Sequence, residues 1–153
     1  MISFEYEMTY WERIEGPLNT MEGSPLGERI CWKVVDASLI GPRIQAKLAM
    51  PGSDWMRLGP DGIRRPDLRV PLSTSEGTTI LLHYNVGIIK ASEVFMHALQ
   101  TGLATDFGQQ YMRMSPQFET GDEKFGWLNQ HLFVAEGRLA AEKEIEYKIY
   151  RVL

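Results

Sequence analysis

The sequence predicts a mainly β protein, an antiparallel β-barrel with one α-helix, and three observations carry that reading. Apolar residues recur at every second position over most of the 153 residues. Turn-forming Gly, Pro, Asn and Asp punctuate those runs at short intervals. Only one segment, 91–102, carries an apolar stripe at helical spacing. Many antiparallel strands beside a single helix fit a closed barrel or a β-sandwich. Closure removes exposed edges and leaves a ligand-sized interior, so the barrel is preferred and the sandwich is the alternative.

The elements follow in order. A first strand runs over 3–14 and gives way to a breaker-rich loop, 15–27, with Gly16-Pro17, Asn19, Gly23 and Ser24-Pro25. A second strand covers 28–39, and Gly41-Pro42 turns it into a third, 43–50. After Pro51-Gly52-Ser53 an extended segment resumes at 54–58, and Pro60-Asp61-Gly62 reads as a hairpin turn. Two long strands, 63–74 and 78–89, meet at Glu76-Gly77; Pro66 and Pro71 mark the former for an edge, a bulge or a break. In the helix Val94, Phe95, Ala98 and Leu99 form the stripe and Gly102 ends it. A strand over 109–118, a short helical piece near 122–129 and a final hairpin, 131–139 with 144–153, complete one domain spanning 1–153.

Composition narrows the function classes. The formal net charge is −4 and the basic residues are scattered, which argues against nucleic acid and against an anionic membrane surface. The one adjacent basic pair, Arg64-Arg65, fits a solvated hairpin. No apolar run nears the roughly 20 residues a membrane helix needs. With Cys31 alone, no intrachain disulfide forms, and the acidic, alternating N-terminus is unlike a signal peptide, so a cytoplasmic location is expected. His83, His97 and His131 lack ligand-like spacing, and no phosphate loop, dinucleotide fingerprint or nucleophile elbow occurs; no metal and no cofactor are expected.

Several residues carry candidate chemistry, each beside a structural role. Glu119, before the turn at Gly121, suits a general acid or base if an apolar cavity raises its pKa; the alternative is a carboxylate holding loop amides. Asp54 beside Trp55 is the second such carboxylate, with backbone capping as its alternative. Tyr84 ends the alternating run Ile80, Leu82, Tyr84 and fits either a hydrogen bond to a substrate carbonyl or a core aromatic. Tyr111 and Arg113 share one strand face with the same ambiguity. Trp127 and Asn129 fit a pocket wall and a ligand-orienting amide, or a loop plug; Lys124 beside them is expected to be solvated. Asp67 and Arg69 fall opposite Leu68, Val70 and Leu72, which places them on the solvent face.

The segments Gly41-Pro42-Arg43, Pro51-Gly52-Ser53-Asp54-Trp55, Pro60-Asp61-Gly62, Asp67-Leu68-Arg69, Phe118-Glu119-Thr120-Gly121 and Trp127-Leu128-Asn129 occur in that order. Together they resemble domain-of-unknown-function family 3237, also called uncharacterised protein family 0311, over nearly the whole chain. The resemblance implies a compact antiparallel barrel of allene-oxide-cyclase, dirigent-like or calycin-like shape, similar to barrels that house cofactor-free isomerases and cyclases. It also keeps Arg69 as a candidate for binding a substrate carboxylate or enolate. Val70 and Met112 stand where family members often carry aromatics, which implies a differently shaped pocket. The resulting expectation is a cofactor-independent isomerase, cyclase or lyase using Glu119 or Asp54 as acid/base on an apolar, aromatic or polyketide-like molecule. Its rival is a protein that binds a hydrophobic small molecule without turning it over. A homodimer is a secondary expectation.

Overall fold

In the structure, a computed structural model, residues 1–18 and 21–153 are described. Asn19, one of the expected breakers, lies outside them. The elements are β1 (Phe4–Glu15), β2 (Glu28–Gly41), β3 (Ile44–Leu48), β4 (Gly52–Leu58), β5 (Arg64–Arg65), β6 (Leu68–Thr74), β7 (Thr79–Tyr84), β8 (Gly87–Lys90), helix α1 (Glu93–Thr101), β9 (Tyr111–Met114), β10 (Gln117–Glu119), a 3₁₀ helix (Glu123–Gln130), β11 (Phe133–Ala141) and β12 (Glu144–Val152).

The strands make one antiparallel sheet whose neighbours follow the chain, and β1 pairs with both β2 and β12, which closes it into a barrel. Four walls are interrupted strands. β3 and β4 lie along one edge of β2, Gly41↔Ile44 at one extreme and Glu28↔Leu58 at the other. β5 continues β6 along β4; β7 and β8 face β10 and β9 in turn.

These interruptions correct two expected continuous strands, 78–89 and 109–118, and decide a third, 63–74, in favour of a break. The run 63–74 breaks at Pro66, which has no amide hydrogen for the ladder. The run 78–89 breaks at Asn85-Val86, and 109–118 breaks at Ser115-Pro116. The helix starts two residues later than expected. Ser92 caps it by accepting from the Phe95 amide at 3.1 Å, and Gly102, at φ 72°, closes it with its amide on the Ala98 carbonyl. Of its stripe, Phe95 and Ala98 are buried while Val94 and Leu99 remain exposed, because only one edge of the helix meets the barrel.

The barrel has two unlike ends. Antiparallel connection brings the start of β1, the end of β6, the start of β7, β10 and the start of β11 to one end, where Met8, Leu72, Ile80, Phe118 and Phe133 interlock. The 3₁₀ helix plugs this end with Phe125 and Leu128, both nearly inaccessible. The other end gathers the end of β1, the start of β2, the end of β4, β5, β8 and the turn between β11 and β12, with α1 alongside. There the interior is hollow.

Candidate functional site

The hollow is a cavity of about 350 Å³, walled by Trp32, Met56, Ile89, Phe95, Met112 and Ile145. Four polar side chains converge within this apolar lining, Glu12, Asp54, Tyr84 and Tyr147, while Arg64, Glu142 and Lys143 add charged groups to the wall. Each of the four comes from a different strand, β1, β4, β7 and β12, and each occupies an inward position of its pleat. The cavity is apolar in bulk and polar at a few converging points.

Glu12 is 1% exposed. It stands on the inward face Met8, Tyr10, Glu12, Ile14, and its Oε2 accepts the Tyr10 hydroxyl at 2.7 Å. Burial pushes its carboxyl up to about 8; the Tyr10 bond pulls the other way and the charge of Asp54 adds to the rise. Asp54, 8% exposed, is pushed to about 7 by burial, opposed by its bond from the Asp67 amide and assisted by the Asp67 charge. That amide reaches Asp54 Oδ1 at 2.9 Å, and it belongs to the first residue after Pro66, where the ladder is broken. Neither carboxyl has an ion-pair partner among the described residues.

Burial, with Glu12 charge second, also lifts the phenols of Tyr84 and Tyr147 well above their ordinary value. Their rings meet edge to face at 5.7 Å. Tyr147 lies directly across from Gly137 on β11, and a Cβ at Gly137 would stand 2.7 Å from the ring's Cδ1. Glycine there is what lets the ring lie against the sheet.

The structure brings two of the sequence candidates, Asp54 and Tyr84, to this cavity, and Met112 joins its wall. Glu119 sits exposed at the end of β10, outside the barrel at its packed end. It borders a surface groove with Thr79, His83, Asn129 and His131. Asn129 ties that turn, its Nδ2 donating to the Thr120 carbonyl at 2.8 Å and its Oδ1 accepting from the Thr120 amide at 3.0 Å. Trp127 packs on Phe133 and under the Arg43 guanidinium, 3.7 Å from the ring centre, while Lys124 pairs with Glu76 at the surface. Arg69 points outward, as the Leu68, Val70, Leu72 face requires. Tyr111 and Arg113 also share the outer face, where Arg113 meets Glu136 at 3.8 Å.

Two residues change status. Glu12 and Tyr147 were not singled out, although the face Met8, Tyr10, Glu12, Ile14 shows an acid within an apolar row. The pair Arg64-Arg65 is not a solvated hairpin on both sides: Arg65 turns out to bind Asp61 at 2.6 Å, whereas Arg64 lines the cavity. No group of three or more His, Cys, Asp or Glu side chains is placed to hold a metal among the described residues. No helix among them is long and apolar enough to cross a membrane.

The family model described as a protein of unknown function, DUF3237, matches residues 4–152. The chain belongs to that family. A UPF0311 protein of Rhodopseudomonas palustris is 25% identical over 141 residues, 92% of this chain and 91% of the relative. A crystal structure of that organism's conserved protein of unknown function superimposes with a TM-score of 0.88 at 22% identity, covering 100% of this chain and 99% of the other. A β-barrel-like protein from Acinetobacter baumannii gives 0.80 at 23% identity, covering 100% and 97%. An enzyme from Penicillium herquei gives 0.65 at 18% identity, covering 99% and 95%. At these identities the likenesses to solved structures establish the shared barrel.

Proposed function

We propose that this DUF3237 protein catalyses proton transfer on an apolar, enolisable small molecule held in the barrel cavity, without a cofactor. The observation that carries the reading is a pair of buried, cation-free carboxyl groups, Glu12 and Asp54, facing one apolar cavity with two phenols. A general base works best with a pKa near the operating pH, and burial has moved both acids toward neutrality. Asp54, whose charged form is favoured by the Asp67 amide, serves as the base, and the more deeply buried Glu12 serves as the acid. In the simplest step, Asp54 removes a proton from carbon next to a carbonyl. Electron density moves to the carbonyl oxygen, which accepts a hydrogen bond from a neutral phenol of Tyr84 or Tyr147 or from the Glu12 acid. Return of the proton to a different carbon completes an isomerisation; loss of a β-substituent completes an elimination. That a barrel of this shape in Penicillium herquei is described as an enzyme is compatible with the reading, whose weight rests on this chain's own side chains.

The test is deuterium uptake from D2O into a panel of enolisable aryl ketones, followed by proton NMR. The protein is expected to accelerate exchange at carbon next to the carbonyl, and Asp54→Asn to lose roughly 10²–10⁴-fold of that rate with its circular dichroism unchanged. Ligands that bind without any accelerated exchange, or an Asp54→Asn variant as active as the parent, would overturn the catalytic reading in favour of a carrier of hydrophobic molecules.

A further inference from the structure

Arg64 is the one arginine in the cavity wall, and its surroundings are unusual for a guanidinium. It is half-buried on β5, and its Nη2 donates to the thioether of Met96 on α1 at 3.7 Å. Sulfur of that kind is a weak acceptor, and arginine has donors to fill in a planar fork. No carboxylate pairs with it among the described residues, although its neighbour Arg65 has Asp61, and the three acids of the lining, Glu12, Asp54 and Glu142, are likewise without ion pairs. Sheet register separates the charges along the barrel. Arg64 stands across from Leu58, four residues beyond Asp54 on β4, roughly 13 Å along the strand at ordinary strand rise. The cavity is thus polar at both ends, acids and phenols at its floor and a guanidinium toward α1, with apolar walls between.

Resting on the reading of this cavity as the reaction site, we infer that the substrate is an amphipathic anion, with an apolar, aromatic-sized body and a carboxylate or sulfonate-like group that docks on Arg64. The apolar body spans the hollow, so the anion binds at one end while the reacting carbon lies at the acids. Arginine suits this task because its fork matches a two-oxygen anion and is less strongly hydrated than an ammonium. Burial raises both floor acids and so weakens their opposition to such a ligand, whose anion lies about a strand's length away from Asp54. The remaining lining carboxylate is Glu142, in the turn between β11 and β12. Lys143, in the turn between β11 and β12, is the other cation in the lining and the natural competitor for the role.

Two dyes with the same body separate these roles: 8-anilinonaphthalene-1-sulfonate and its uncharged parent, N-phenyl-1-naphthylamine. By fluorescence titration at low salt, the protein is expected to prefer the sulfonate by about tenfold or more, the scale of one charge-assisted hydrogen-bonded contact. Arg64→Gln should abolish that preference and bind the neutral dye within about twofold of the parent protein. Arg64→Met, which replaces the apolar stem, is measured alongside so that a folding defect in one variant leaves the test intact. Ala98→Trp, which projects an indole into the cavity from α1, should exclude both dyes. A preference that survives both Arg64 variants, or that is lost on Lys143→Gln instead, overturns the assignment and leaves the cavity as the site. Failure of both dyes to bind, or binding unaffected by Ala98→Trp, removes the cavity itself as a ligand site and the acid–base reading with it.

Discussion

The two ends of the barrel share the long strands β1, β2, β11 and β12 and do opposite things with them. At the end plugged by the 3₁₀ helix, inward positions carry Met8, Leu72, Ile80, Phe118 and Phe133, and the side chains fill the space. At the end beside α1, the same strands β1 and β7 place Glu12 and Tyr84 inward and leave a hollow of about 350 Å³. Moving four residues along β1, from Met8 to Glu12, exchanges a core methionine for a buried acid. The packed end repays the entropy of folding, and the hollow end spends some of that stability on polar groups held away from water. The interrupted walls help one end change without disturbing the other, since β3 with β4, β5 with β6, β7 with β8 and β9 with β10 divide a wall between the two ends.

The largest effect should come from cutting into the packed end. Phe133, 1% exposed and in edge-to-face contact with Phe118 at 5.2 Å, is expected to cost about 3–5 kcal/mol on Phe133→Ala. Ile145→Ala, on the cavity wall, should cost only about 1 kcal/mol, because a side chain facing a void has fewer neighbours to lose. Urea titrations of both variants make the comparison; equal losses would show that the hollow end is packed as tightly as the other.

The second effect distinguishes the ends by pH. Glu12 has an ordinary value of 4.5 and is held at about 8 in the fold, so the folded chain binds its proton more tightly than the unfolded chain does. Stability from this group is therefore full below pH 4.5 and lost as pH rises to about 8. Asp54 acts in the same direction between 3.8 and about 7. Glu12→Gln keeps an oxygen for the Tyr10 hydroxyl and removes the titration. It should gain stability relative to the parent between pH 5 and 8.5, on the order of 2–4 kcal/mol. Denaturant midpoints across that range provide the check, and parallel curves for the two proteins would mean that Glu12 does not titrate in the fold.

How much of this was legible follows from where the chain's signals are local. Turns at Gly41-Pro42 and Pro60-Asp61-Gly62 depend on residues within the turn, and strands flank both of them, although the one after Gly62 is cut short at Pro66. Asp54 beside a proline-glycine break and Tyr84 at the end of an apolar alternation were also visible locally, and both reach the cavity. Glu12 was hidden by company. Its strand carries Glu5, Glu7 and Glu15 as well, and the irregularity between Tyr6 and Met8 buries Glu7 and Met8 together, which blurs the parity that sets Glu12 apart. Arg64 gives no local signal because a two-residue strand sends adjacent side chains to opposite faces, and only the pairing of β5 with β4 and β8 fixes which arginine turns inward.

A smaller effect probes the floor of the cavity. Gly137→Ala would press a methyl group against the Tyr147 ring and Met112, forcing the phenol away from Tyr84. The expected cost is about 1–3 kcal/mol, with a changed near-ultraviolet signal from the tyrosines. An unperturbed spectrum would mean that the ring has room to spare and that Gly137 does not hold it in place.

The smallest expected effect is the one most able to reverse the comparison. Glu119 belongs to the packed end, exposed on β10 beside the groove that includes His83 and His131. A carboxylate in water lacks the desolvation that tunes Glu12 and Asp54, and it faces no closed space in which a substrate would shed its hydration. Glu119→Gln should therefore leave both the denaturant midpoint and the rate of deuterium exchange into aryl ketones unchanged within error. If that variant lost exchange activity while Asp54→Asn kept it, chemistry would belong to the groove outside the packed end. The buried acids would then be structural, held neutral by burial and bonded to Tyr10 and the Asp67 amide.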